Sequence, residues 1–201
     1  MVPVPRAREL IGHALQPIVV DMQAVRDDVW VRPLSDEIRA VVQIDALKGA
    51  QYDINYGICG AWVPVSSTSR SRISRFPRTM KQTTMHLWVD HFTLDAEPRQ
   101  WISTLDGEKA LRRQAHKAVQ QVMVRAPAWW RSVATPEGVL AEARRQGRNH
   151  VDIHYPRART VAAFTLARLG DLAQARSELS AAGEAEEVHE LLPMVPIPSS
   201  S

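Results

Sequence analysis

The sequence predicts an α+β fold: an antiparallel sheet of about four strands, flanked by helices and followed by a C-terminal helical subregion. Three observations carry this. Apolar residues alternate along residues 38–63, the mark of half-buried strands. After Asp106 the apolar period lengthens to that of a helix, with Leu111, Ala115, Ala118, Val119, Val122 and Met123 on one stripe. Near the end, Ala163, Leu166 and Ala167 face Leu172, Ala175 and Leu179 across Gly170-Asp171, a helical pair with small residues at its seam.

The central stretch reads IRAVVQIDALKGAQYDINYGICGAWV. Val42, Ile44 and Ala46 alternate on one run, and Tyr52, Ile54, Tyr56 and Ile58 on the next. Both sets share a face only if cross-strand partners have numbers with an even sum, such as Ile44 opposite Ile54, and this requires an odd loop. Lys48-Gly49-Ala50 supplies three residues, with Gly49 free to take a positive φ. A two-residue loop would set Ile44 against Asn55 and mix the faces.

In chain order, residues 1–5 hold two prolines and are expected to be extended. A first helix begins near Arg6, buries Leu10, Ile11, Ala14 and Leu15, and is either ended by Pro17 or kinked there and prolonged by another turn or two through Ile18-Val19-Val20 and Met22. Asp27-Asp28 marks a turn, Val29-Trp30-Val31-Arg32 a first strand stopped by Pro33, and the hairpin follows. Residues 64–84, rich in Ser, Thr and Arg, read as a long loop, and residues 85–92 as a fourth strand. The helix over residues 107–125 carries Lys109, Arg112, Arg113 and Lys117 opposite its apolar stripe. Pro127 ends it, and Trp129 and Trp130 then plug the groove against the sheet.

Thr135-Pro136 opens a short helix closed by Gly147. A helix over residues 160–169 ends at Gly170, and Asp171 caps another over residues 172–182 that stops at Gly183. One or two further turns fit residues 184–192. The expected organisation is a sheet domain over residues 1–130, a helical subregion over 131–192 packed on it, and a disordered tail over 193–201. The terminal helical pair resembles half of a tetratricopeptide array, but a solenoid needs about three such units.

With a net charge of +3, the chain as a whole makes a weak case for a polyanion partner. Arg outnumbers Lys 21 to 4, which together with the abundant Ala and Val is the bias of a GC-rich bacterial genome. No apolar run approaches the roughly 20 residues of a membrane span, and the N-terminus lacks the apolar core of a signal peptide, so the expected location is the cytoplasm. The single cysteine, Cys59, excludes an intrachain disulfide and a cysteine-based metal site, and it reads as a small packed residue.

Three constellations are chemically suggestive. If extended, His150, Asp152 and His154 point the same way, a spacing that would bring two imidazoles and a carboxylate to one divalent metal ion; the alternative is the polar side of a connector. Gln43, Asp45, Asp53 and Asn55 share the polar face of the hairpin with Cys59, either as a binding surface or as an ordinary solvent-facing sheet. Arg70, Arg72, Arg75, Arg78 and Lys81, interleaved with serines and Phe76, would grip phosphates of nucleic acid or pair with Glu184, Glu186 and Glu187. Asp90 and His91 are strand neighbours that face opposite ways and make no dyad with His86. Phosphate loops, dinucleotide fingerprints, serine-hydrolase elbows and zinc-protease motifs are absent, and no cofactor is expected.

WVRP, VVQIDALKG and YDINYGICGAWVP, with Gln43 and Asn55-Tyr56-Gly57-Ile58 at the key places, resemble the core of small uncharacterised bacterial domains of unknown function. Arg72-Ile73 and Arg75 followed by Leu87-Trp88 are similar to that group's later segment. The resemblance covers about the first 125 residues and implies an α+β domain without an assigned activity, associated with toxin neutralisation or similar partner binding. The functional expectation is therefore a non-enzymatic module that binds another protein, for instance an immunity-type inhibitor of a bacterial toxin. A nucleic-acid-associated protein using the 70–81 loop stands second, and a metal-dependent enzyme using His150, Asp152 and His154 third.

Overall fold

The computed structural model describes residues 1–66, 73–89, 101–149 and 156–196, the side chains of residues 66, 73–75 and 149 excepted. The first helix, α1 (Val4–Val19), starts two residues earlier than its apolar stripe requires. Pro5 suits a first helical turn, where its missing N–H is not needed. Val2 is buried and its N–H bonds the Thr104 carbonyl at 2.7 Å, so the N-terminus is tied down rather than loose. Pro17 lies inside α1 on its exposed side, and the helix continues through it because Val19, two residues on, is still buried in the core.

Then come β1 (Gln23–Arg26), β2 (Val29–Pro33), β3 (Ile38–Leu47) and β4 (Gln51–Gly60). Two short strands, β5 (Val65–Ser66) and β6 (Ile73–Arg75), pair with each other inside the stretch expected to be loop. A 3-10 turn (Met80–Gln82) leads to β7 (Leu87–Val89), and β8 (Ile102–Ser103) precedes the second helix. The main sheet is antiparallel throughout, in the order β1-β2-β3-β4-β7, with β8 also on β4. Among the described residues it has six strands, against the four or so expected. Ile44 stands opposite Ile54 and Leu47 opposite Gln51, leaving Lys48-Gly49-Ala50 as the loop. Gly49 has φ +81°, and Ala50 at φ +60° shares the left-handed region.

The helical part comprises α2 (Gly107–Ser132), α3 (Pro136–Asn149), α4 (Ala158–Arg168), α5 (Leu172–Ala182) and a single turn, α6 (Glu186–His189). Pro127 does not end α2. Two tryptophans just beyond it anchor the helix to the sheet: Trp130 donates Nε1–H to the Gly57 carbonyl at 3.1 Å, and both rings meet Tyr56 edge-on at 5.7 and 6.1 Å. Tertiary contacts thus outweigh the lost backbone bond, which faces solvent. Asp171 caps α5 by accepting from the Gln174 N–H at 3.0 Å, and Gly183 ends it at φ +67°.

Helix α4 is buried on nearly every side and packs between α3 and α5, which is why its sequence is rich in Ala and other apolar residues, its buried Thr165 and Arg168 being hydrogen-bonded. One core joins α1, α2, the helix-facing side of the sheet and the α3–α5 layer. Polar ties cross it: Trp62 Nε1–H to Thr165 Oγ1 at 3.1 Å, and the largely buried Arg168 to Glu37 at 2.6 and 3.0 Å. Residues 193–196 are not loose either. They continue from a 3-10 turn (Leu192–Met194) and bury Val195; residues 197–201 lie outside the described part.

Candidate functional site

Alternation along β3 and β4 sends Arg39, Val41, Gln43, Asp45, Asp53, Asn55, Gly57 and Cys59 to the far side of the sheet from α1 and α2. This side is not open to solvent. Val29, Val31, Val41, Cys59 and Met85 form a second apolar cluster, with Met80 and Trp88 packed on it, so the chain around β7 folds across the sheet. Gly57 makes that approach possible: a Cβ there would stand 2.1 Å from the Leu87 carbonyl oxygen and 2.4 Å from Met85 Cγ. Arg39 fastens the covering segment by donating Nη1–H to the Thr79 carbonyl at 3.0 Å and Thr83 Oγ1 at 3.1 Å.

The polar residues of this side are therefore mostly interior. Asp53 and Asn55 are only 3% and 4% exposed, and Gln43 and Asp45 are half-buried. The side-chain amides of Gln43 and Asn55 both donate to the Asp45 carboxylate, and Asp53 accepts from the Ile54 N–H at 2.8 Å. This corrects the solvent-facing reading. Asp45 is an acceptor locked by two amides, and neither Asp53 nor Asn55 presents a surface to a partner. The alternating pattern distinguishes two faces but does not say what lies over each.

Cys59 and His86 are also enclosed here. Burial pushes the Cys59 thiol up to about 11, and burial together with the nearby Arg39 charge pushes the His86 imidazole down to about 3. His86 Nδ1 accepts the Gly60 N–H at 3.1 Å, which leaves the ring proton on Nε2, a buried donor without a partner. A thiol held neutral by burial and an imidazole held neutral in the same way are the reverse of an activated nucleophile and base. Both groups serve packing.

Of the basic loop, Arg70 and Arg72 lie outside the described residues, and Arg75 is described only as backbone in β6. Arg78 and Lys81 are exposed around the 3-10 turn, whose start is braced by Gln82 accepting the Arg78 and Thr79 N–H groups. Glu184, one of the acids expected opposite them, bonds Thr160 Oγ1. His150, Asp152 and His154, with Asp90 and His91, fall outside the described residues. Among the described residues no group of three or more His, Cys, Asp or Glu could hold a metal ion. No helix among them is long and apolar enough to cross a membrane.

The outer face of α2 is the surface that sequence reasoning undervalued. Its inward stripe runs Leu111, Ala115, Ala118, Val119, Val122, Ala126 and Trp130, so the opposite side is presented to solvent. There Lys109, Arg112, Arg113, Lys117 and Arg131 stand exposed against one acid, Glu108. That acid is already engaged. Arg6 of α1 holds Glu108 through two bonds of 3.0 and 3.1 Å and keeps its carboxyl below the usual range. Met123, expected on the apolar stripe, falls instead at its edge and is 45% exposed, and with Val124 at 79% it sits between the cationic ends. The charges opposite the apolar stripe were visible in the sequence, but a near-neutral total hid how unevenly they are spread.

The end of α2 is clamped to α3 by Glu142. This carboxylate accepts from Trp129 Nε1 at 3.1 Å, Arg145 Nε at 2.7 Å and Gln146 Nε2 at 2.9 Å; Gln146 also reaches the Trp88 carbonyl at 2.9 Å. Burial opposes ionisation of Glu142, but Arg145, Gln146 and Trp129 outweigh it and hold its carboxyl below the usual range. The cationic face is thus carried on a rigidly fixed helix. No family model, curated protein or solved structure matches this chain.

Proposed function

We propose that the protein is a non-catalytic binding module that docks an acidic surface of a partner protein on the outer face of α2, as an immunity-type inhibitor of a toxin would. The observation that carries this reading is the composition of that face: five exposed cations against one engaged acid, around the exposed pair Met123 and Val124. An apolar centre within a polar, charged rim is the anatomy of a protein interface. Nucleic-acid phosphates would use the cations and leave the two apolar side chains idle.

At 26 residues α2 is about 39 Å long, enough for one side of a standard interface of roughly 800 Å² per partner. The charges steer encounter and orientation, and the apolar pair supplies contact area that holds the complex. The buried Asp53 and Asn55 and the half-buried Gln43 and Asp45 then belong to the scaffold, not to the docking surface.

The test is affinity purification of the intact protein from its native cells after nuclease digestion, beside a variant carrying Lys109→Glu, Arg113→Glu and Lys117→Glu. All three positions are exposed, so the variant is expected to fold, which circular dichroism checks. The reading expects an acidic protein in stoichiometric amounts with the parent chain and its loss from the variant. Recovery that nuclease abolishes, or equal recovery from both chains, would overturn it.

A further inference from the structure

Away from α2, a cavity of about 310 Å³ opens between α3, α4 and α5. Among the described residues its lining is unusual in charge: Arg144 and Arg148 from α3 and Arg159 from α4, with Glu178 of α5 as the one acid. Ala143 and Ala162 form a buried, apolar floor. Gly147 also lines it, close to the stem of Arg159, whose Cγ a Cβ there would meet at 3.4 Å, an ordinary packing distance.

The three guanidinium groups are held to different degrees. Arg144 Nη2 donates to Gln174 Oε1 at 2.9 Å, which aims it across the α3–α5 gap. Arg159 meets Glu178 at 3.7 Å, beyond a normal hydrogen bond, so its donors are oriented but not consumed. Arg148 is exposed and has no partner among the described residues. Like charges gathered round one cavity repel, and an anion entering it would relieve that repulsion.

We propose that this cavity binds a small organic phosphate of nucleoside-monophosphate size. Guanidinium forks match phosphate oxygens two at a time, and a phosphate monoester carries roughly −1.5 to −2 at neutral pH, which equals the surplus of three cations over one acid. The volume is at the lower end of small-molecule sites, roughly 300–1,000 Å³, and exceeds what an inorganic ion fills. The organic part lies over Ala143 and Ala162 while Arg144, Arg148 and Arg159 hold the phosphate. This site is independent of the α2 face.

The test is calorimetric titration of the full chain at constant ionic strength with adenosine monophosphate, pyrophosphate and citrate. The expected result is one saturable site for the nucleotide, with affinity reduced at least tenfold by Arg148→Gln and unchanged by Lys117→Gln on α2. No saturable nucleotide binding, equal affinity in the Arg148→Gln chain, or citrate binding as tightly as the nucleotide would overturn the proposal. Because Arg148 is exposed, its replacement is not expected to disturb folding, and an unchanged melting temperature in the absence of ligand verifies this.

Discussion

The enclosed imidazole of His86 makes a sharp and quantitative prediction about acid stability. In the folded chain its pKa is pushed down to about 3, whereas an unfolded histidine titrates near 6.5. Between those values the unfolded state takes up a proton that the folded state refuses. Stability from this group is therefore fully present above about pH 6.5 and is lost as pH falls towards 3, by about 1.4 kcal/mol per pH unit. Glu142 and Glu108, whose carboxyls are held below their usual range, add their own losses only below about pH 4.5, so the histidine can be read above that point.

The perturbation is His86→Asn, whose carboxamide oxygen can replace Nδ1 as acceptor for the Gly60 N–H. Urea unfolding of both chains would be followed between about pH 7.5 and pH 4.5. The parent chain should lose about 3 kcal/mol more than the variant over that range, an order-of-magnitude figure. Parallel curves for the two proteins would refute the account of this face as a closed interior.

Further outcomes follow from single contacts. Gly57→Ala should lower stability by more than about 3 kcal/mol in denaturant unfolding, since its Cβ would stand 2.1 Å from the Leu87 carbonyl and shift β7 off β4. Pro127→Ala should raise the melting temperature, restoring an exposed helical N–H and worth about 1–2 kcal/mol after the unfolded chain's gain in freedom is offset. Ala50→Gly should stabilise the hairpin by roughly 0.5–1 kcal/mol, because φ +60° strains a residue with a Cβ. Asp171→Ala should cost about 1 kcal/mol through loss of the cap on α5, visible in the same unfolding assay.

The hairpin was legible down to its register because two local signals agree there: period-2 apolar residues and a three-residue loop with Gly49 at positive φ. The bounds of α5 were legible for the same reason, with Asp171 and Gly183 marking its ends. What misled was a local rule overruled from a distance. Pro127 suggests a helix end, yet α2 passes through it because Trp130 beyond is anchored in the core; at Pro17 the sequence allows either an end or a continuation, and α1 continues because Val19 is buried. The edge strand β1 has mostly exposed residues, so no alternation betrays it. The candidate site suffered most. Gln43, Asp45, Asp53 and Asn55 do share one face, but Asp53 and Asn55 are buried there and Asp45 is taken up by the amides of Gln43 and Asn55, which alternation alone does not reveal. The cations of α2 are visible one by one in the sequence, but a net charge of +3 averages over a molecule that is locally polarised.

Four lysines make the position of the docking surface directly measurable. Lys109 and Lys117 lie on the outer face of α2, Lys48 in the hairpin loop and Lys81 on the 3-10 turn beside the basic loop, all four exposed. Amine-reactive labelling of the protein alone and with its purified partner, read by mass spectrometry, reports on each separately. Docking on α2 predicts protection of Lys109 and Lys117 with Lys48 and Lys81 still reactive. Protection of Lys81 or Lys48, with the two α2 lysines labelled as freely as in the isolated chain, would contradict it.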